Sequence, residues 1–188
     1  MLLRGIPGAG KSCLATALRE VSGDRFRWLL LDRDILRTSI SDQERLRAFL
    51  AKHEWAAREP EMGIYRFFLW QTIAGLHGGR NIMWAQPRVR LDLLRLTVDR
   101  LHKTFHCTFQ LLVVDVEVDP EVAWERVANR VKTGGHGPVR SAFTQMVAAY
   151  QSADPDEVPL VRLDGSQPVN DLRERVLCEL RQLSLGVR

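Results

Sequence analysis

Gly5-Ile6-Pro7-Gly8-Ala9-Gly10-Lys11-Ser12 fulfils the phosphate-binding loop pattern G-x-x-x-x-G-K-[ST] at every fixed position. Each part of the pattern has a physical task. Glycines let the backbone curl and aim its N–H groups at phosphate oxygens. The Lys11 ammonium reaches the β- and γ-phosphates, and the Ser12 hydroxyl is a hard oxygen that can ligate magnesium. The flanks agree with the motif. Met1–Leu3 predicts the end of a strand, and Lys11–Val21 has helical spacing, which sets a positive dipole end beneath the phosphates. The stretch predicts a nucleoside triphosphate site whose contacts run through Gly5, Pro7, Gly8, Ala9, Gly10, Lys11, Ser12 and Cys13. Only four residues precede Gly5, so the first strand is very short or begins upstream of this chain.

Outward from the loop, apolar runs alternate with amphipathic stretches, the pattern of an α/β fold on a parallel sheet. Predicted strands are Met1–Arg4, Phe26–Leu31, Asn81–Ala85, Phe109–Val118 and Leu160–Leu163. The first four are continuous apolar runs, as strands covered on both faces require. Predicted helices are Lys11–Val21, Asp42–Ala57, Gly63–Leu76, Leu91–Lys103, Pro120–Val131, Ser141–Gln151 and Pro168–Leu183. Asp119-Pro120-Glu121 supplies a cap, a first-turn proline and an early acid. Asp164-Gly165-Ser166 marks a turn before the last helix.

A chain of 188 residues suits one domain spanning 1–188, with a substantial core. The net charge of +4 fits an anionic ligand, but the arginines are dispersed, so nucleic acid stays open as a partner without being indicated. Cys13, Cys107 and Cys178 are far apart in apolar contexts and are expected to be small core residues. No signal peptide and no apolar run of about 18 residues is present, so no membrane partner and a cytoplasmic setting are expected.

Two acids close the second strand, Asp32 and Asp34 in Leu31-Asp32-Arg33-Asp34. Ligands of an open parallel sheet bind beyond the carboxyl ends of its strands. Asp32 is expected to cap the next helix or support magnesium through water. Asp34 is expected to face an acceptor and take its hydroxyl proton as general base. After the third strand, Gln86 is a candidate for substrate hydrogen bonding, and Arg88 and Arg90 for phosphate contact or a solvated helix start.

Trp124 to Arg140 is the second informative stretch: a helix bearing spaced arginines runs into Thr133-Gly134-Gly135-His136-Gly137-Pro138 and then another helix. That is the composition of a lid. Arg126 and Arg130 lie one turn apart on one face and can neutralise charge on a transferring phosphoryl group. Gly134 and Gly135 allow closure. The other histidines show no zinc-site spacing, Trp55, Tyr65, Phe67, Phe68 and Trp70 read as core or pocket wall, and no Asn-Lys-x-Asp guanine signature is present.

Gly5–Ser12, Leu30–Ser39 (LLDRDILRTS) and Val127–Pro138 (VANRVKTGGHGP) together resemble the P-loop kinases of the zeta-toxin type, close to chloramphenicol phosphotransferase and polynucleotide-kinase-like enzymes. The resemblance implies a three-layer P-loop NTPase of the kinase type, with five parallel strands in the order 2-3-1-4-5. It implies transfer of the γ-phosphoryl group of ATP, with Mg2+, to a hydroxyl; in zeta toxins the acceptor is UDP-N-acetylglucosamine. By the same resemblance Asp34 matches the catalytic base, Lys11 the loop lysine and Arg130 a charge-stabilising arginine. His136 falls near a second arginine of the pattern, a role moved to Arg140 or lost. An antitoxin or other regulatory partner is implied as well. Ala85-Gln86-Pro87 departs from the acid-Gly-Thr of zeta toxins, and the lid proline comes one residue early.

The reading is a small-molecule kinase using ATP and Mg2+. Its alternatives are a polynucleotide or nucleotide kinase and, in another class, an ATP-binding switch without phosphotransfer. Asp34 together with Arg126 and Arg130 argues against the switch, since a pure binder needs no base.

Overall fold

The computed structural model describes residues 1–53, 60–85, 91–105, 109–156 and 158–185. Among them are five strands: β1 (Leu2–Arg4), β2 (Trp28–Asp32), β3 (Asn81–Ala85), β4 (Val113–Glu117) and β5 (Leu160–Asp164). The helices are α1 (Lys11–Phe26), α2 (Arg33–Thr38), α3 (Ile40–Lys52), α4 (Pro60–His77), α5 (Leu91–Phe105), α6 (Pro120–Lys132), α7 (Arg140–Ala148) and α8 (Val169–Leu185). The strands form one parallel sheet in the order β2-β3-β1-β4-β5, with helices on both sides. Leu2 pairs with Val113, and Val113 in turn with Leu160. The central strand β1 is buried at all three positions, whereas β5, at the end of the order, alternates buried with exposed residues. That contrast is what an interior and an edge strand require.

The chain packs as two compact units, Met1–Val21 with Ala85–Arg188, and Ser22–Trp84. In the first, Leu14, Ala15 and Leu18 of α1 are completely buried, as are Val113 and Val114 of β4. Helix α6 has sharp ends. The Asp119 carboxylate accepts the Glu121 N–H at 2.8 Å, with Pro120 in the first turn. At the other end, Gly135 N–H donates to Arg130 O (2.9 Å) and Gly134 N–H to Val131 O (3.1 Å), a Schellman stop. Its left-handed residue is Gly134 at φ +86°, a conformation that disfavours any Cβ.

In the second unit, Trp84 joins α4 to β3. Its indole donates to Thr72 Oγ1 at 2.7 Å, and its ring meets Tyr65 and Phe68 edge-on at 5.9 and 6.1 Å. Such pairs add about 0.5–1.5 kcal/mol each beyond area burial. A close approach is built in at Gly75, where a Cβ would lie 2.6 Å from Ile82 Cδ1.

Several sequence expectations change. Helix α3 stops at Lys52; Trp55, like Gln86, Pro87, Arg88, Arg90 and Cys107, lies outside the described residues. The fourth strand is shorter than the apolar run that announced it, and begins at Val113. Cys13 and Cys178 are exposed rather than core. Helical period explains both: Leu14 and Ala15, or Val176 and Leu177, take the buried face and leave the neighbouring thiol outside. Among the core aromatics, Trp70 is 45% exposed although its ring stacks on Phe67.

Candidate active site

Arg4 ends β1 and Gly5 begins the loop. A Cβ on Gly5 would sit 2.4 Å from Val116 O, and one on Gly8 2.2 Å from Ala123 O. The loop is therefore wedged between the end of β4 and the first turns of α6, and only hydrogen fits at those two points. Ala9 is completely buried, Pro7 and Gly10 partly so, and Ser12 and Cys13 are exposed on the first turn of α1. The Lys11 ammonium is folded onto its own loop, donating to Gly5 O at 2.9 Å and Ile6 O at 2.8 Å. These are neutral acceptors. A phosphate oxygen offers a stronger, charge-assisted bond from the same position at the helix N-terminus.

Arg126 reaches back from α6 to the same place. Its Nη1 donates to Gly165 O at 2.9 Å and lies 3.4 Å from Gly8 O. Gly165 sits in the β5–α8 turn, where its N–H donates to Glu117 O and a Cβ would meet Ala9 O at 2.7 Å. The sequence placed Arg126 beside Arg130 as a charge neutraliser; here its guanidinium ties the phosphate loop to the Gly165 turn. That turn is shaped by the Asp164 carboxylate, which accepts from the Ser166 hydroxyl (2.6 Å) and amide (2.9 Å). Those two bonds lower the Asp164 carboxyl from its usual range.

Arg130 is exposed one turn further along α6, with the loop 135–139 passing over its stem. His136 is exposed in that loop. Arg140 is engaged elsewhere: it donates to Glu121 Oε1 at 2.6 Å and stacks over the Trp124 ring at 4.9 Å. The structure sets Lys11 and Arg126 against different carbonyls of the phosphate loop, joins Arg126 to the Gly165 turn, and pairs Arg140 with the start of α6.

Asp32 and Asp34 belong to the second unit, at the carboxyl end of β2. Asp32 is 5% exposed, and its Oδ1 accepts the Asp34 N–H at 2.8 Å, making it the N-cap of α2. The Asp34 carboxylate is 40% exposed, with Arg37 Nη1 3.8 Å away, an ion pair too long for a hydrogen bond. Among the described residues no group of three or more His, Cys, Asp or Glu could hold a metal. Ser12 does present the oxygen donor magnesium prefers, and a nucleotide-borne magnesium takes only one or two protein ligands beside phosphate and water. Ser12 is the residue that fits it.

Sequence reading missed a buried pair under the loop. Arg4 and Asp115 are both fully buried, with Arg4 Nη1 2.9 Å from both carboxylate oxygens. Arg4 Nη2 also donates to Gln151 O, and Asp115 accepts the Ala153 N–H. The signal was visible: an acid inside the apolar run Leu112-Val113-Val114-Asp115-Val116 demands a partner. Tyr150 lies against this pair, and burial, then the Asp115 charge, push its hydroxyl above its ordinary range. Asp115→Ala, which strands the guanidinium, is expected to cost about 3–5 kcal/mol, whereas replacing both partners with apolar residues costs far less. Urea unfolding checks this; equal midpoints for Asp115→Ala and wild type would contradict it.

With that geometry in place, the similarities to known proteins fall into line. The family described as AAA domain matches residues 1–153, and this chain belongs to it. No curated protein matches the chain in sequence. Solved structures share its fold. An unliganded sugar kinase from Janibacter sp. HTCC2649 superposes with TM-score 0.63 at 19% identity, over 96% of this chain and 92% of the other. A gluconokinase from Sinorhizobium meliloti 1021 gives 0.61 at 19%, over 99% and 93%. Kti12 from Chaetomium thermophilum, in complex with ADP-AlF3, gives 0.64 at 15%, over 95% and 97%. The fold is that of P-loop kinases. Among the described residues no helix is long and apolar enough to cross a membrane.

Proposed function

We propose that this AAA-domain chain is an ATP-dependent phosphotransferase acting on a hydroxyl of a small molecule. The observation that carries the reading is the complete phosphate loop, seated on the N-terminus of α1 with Lys11 at its mouth. Sugar kinase and gluconokinase among the structures of the same fold support a small polyhydroxylated acceptor. A nucleotide sugar, as the resemblance to zeta toxins implies, is the finer form of the same reading.

The chemistry follows from the residues. Loop N–H groups and Lys11 hold the β- and γ-phosphates. The Ser12 hydroxyl would hold magnesium bound with the nucleotide, which would supply charge neutralisation on those oxygens. The Asp34 carboxylate takes the acceptor's hydroxyl proton as that oxygen bonds to the γ-phosphorus. The bond from γ-phosphorus to the bridging oxygen breaks, and ADP leaves with its electron pair. Arg130 is proposed to meet the charge on the transferring group, while Arg126 keeps the phosphate loop and the Gly165 turn together.

The test is transfer of labelled γ-phosphate from ATP to sugars and sugar acids, nucleotide sugars, nucleosides and RNA ends. Label on a small-molecule hydroxyl is expected. Label only on RNA ends would favour a polynucleotide kinase, and nucleotide binding without any turnover a switch. Arg130→Ala should lower kcat by about 10- to 1,000-fold with ATP affinity changed only modestly, because a contact made mainly in the transition state acts on rate. A large rise in the ATP dissociation constant at unchanged kcat would remove Arg130 from that role.

A further inference from the structure

We propose that Gly135 and Gly137 are positioning residues for Arg130: a side-chain-free strip of backbone that holds the arginine's stem in place before substrate arrives. The inference rests on the reading of Arg130 as the residue that meets the transferring phosphoryl group.

The three glycines after α6 are glycine for different reasons. Gly134 is the left-handed stop of the helix, and nothing lies within 4 Å of the position its Cβ would take. Gly135 and Gly137 are not in the left-handed region that calls for glycine. Space is what excludes a side chain there. A Cβ on Gly135 would lie 2.6 Å from Arg130 Cγ, 3.4 Å from its Cδ and 2.9 Å from its carbonyl oxygen. A Cβ on Gly137 would lie 2.7 Å from Val127 Cγ1, 3.1 Å from Val131 Cγ2 and 3.7 Å from Arg130 Nη2. The loop thus runs along the arginine from Cγ at one glycine to the guanidinium at the other, seated on Val127 and Val131.

The consequence is preorganisation. An exposed arginine has many rotamers, and freezing one of them opposes catalysis unless the surroundings have already limited the choice. Contact at Cγ constrains the stem near its root, where a small rotation moves the guanidinium furthest. A methyl at 135 cannot be relieved by swinging the tip away, because the atom it meets is Cγ. The side chain must leave its rotamer or the loop must lift.

The test is a double-mutant cycle on kcat for phosphate release from MgATP, with Gly135→Ala and Arg130→Ala singly and together. If the glycine acts through Arg130, Gly135→Ala lowers kcat about tenfold or more in the parent, with KM for ATP within about twofold, yet changes it by less than about twofold in the Arg130→Ala background. Equal factors in both backgrounds would mean that Gly135 shapes the loop alone, and the proposal falls. Gly134→Ala, strained by its backbone, serves as the comparison expected to act equally in both. A second readout needs no activity. The Arg130 Nε–H signal, assigned by its loss in Arg130→Ala, should report an ordered side chain in the parent and a mobile one in Gly135→Ala. Equal mobility in the two overturns the proposal whatever the turnover. Ordered Arg130 with unchanged kcat on its removal would leave the positioning intact and refute instead the phosphoryl-contact reading. Matching urea midpoints establish that each variant is folded.

Discussion

Lys11→Ala is expected to lower ATP turnover by about 100- to 1,000-fold, the usual loss when one preorganised donor to developing charge is removed. Lys11 is only 8% exposed, and its ammonium bonds to Gly5 O and Ile6 O, so it is held against the phosphate loop itself. No other residue of the loop carries a side-chain cation. The alanine variant also leaves two carbonyls without that donor, which should cost about 1–3 kcal/mol of stability. Turnover is therefore compared at a temperature where circular dichroism shows both proteins folded. A folded variant that turns over ATP at the parent rate would show that the loop is not the active site.

Asp34→Asn is expected to lower phosphoryl transfer by about 100- to 10,000-fold, with ATP affinity little changed, because it keeps the shape of the side chain and removes the proton acceptor. The structure supplies an internal comparison. Asp32, two residues earlier, spends its carboxylate on the Asp34 amide as the cap of α2. Asp32→Ala should appear in stability, at about 0.5–2 kcal/mol. The cap of α2 is Asp32, and the exposed pairing of Asp34 with Arg37 at 3.8 Å is worth about 0–1 kcal/mol. Asp34→Asn should leave the unfolding midpoint almost unmoved. Thermal unfolding beside transfer assays separates the two acids. Loss of ATP binding with transfer per bound ATP preserved would make Asp34 a structural or metal residue instead.

Legibility differed from residue to residue for physical reasons. The phosphate loop, the Asp119-Pro120 helix start and the turn at Asp164-Gly165-Ser166 are local. Each depends on backbone groups a few residues away, so spacing and residue type suffice to read it. The parallel sheet was legible from its apolar runs, and the strand order came through the resemblance carried by three short blocks. The arginines were harder. Arg126, Arg130 and Arg140 read alike in the sequence, as cations near a glycine-rich loop available to a transferring phosphoryl group. The fold sends the first to Gly165, lays the second under Gly135 and Gly137, and gives the third to Glu121 and Trp124.

The sequence by itself determined that this chain has a phosphate loop at the head of a helix, that strands and helices alternate around it, and that an acid lies just past the second strand. Those follow from residue types at fixed short spacings, where steric and capping preferences act within a turn or two. Tertiary structure decided which partner each charge takes. Arg4 meets Asp115 across 111 positions and Arg126 approaches Gly8 across 118. An arginine's choice among carbonyls, carboxylates and rings rests on differences of about a kcal/mol at the surface, so local pattern does not settle it. What settles it is which atoms the packed sheet and helices bring within about 3 Å.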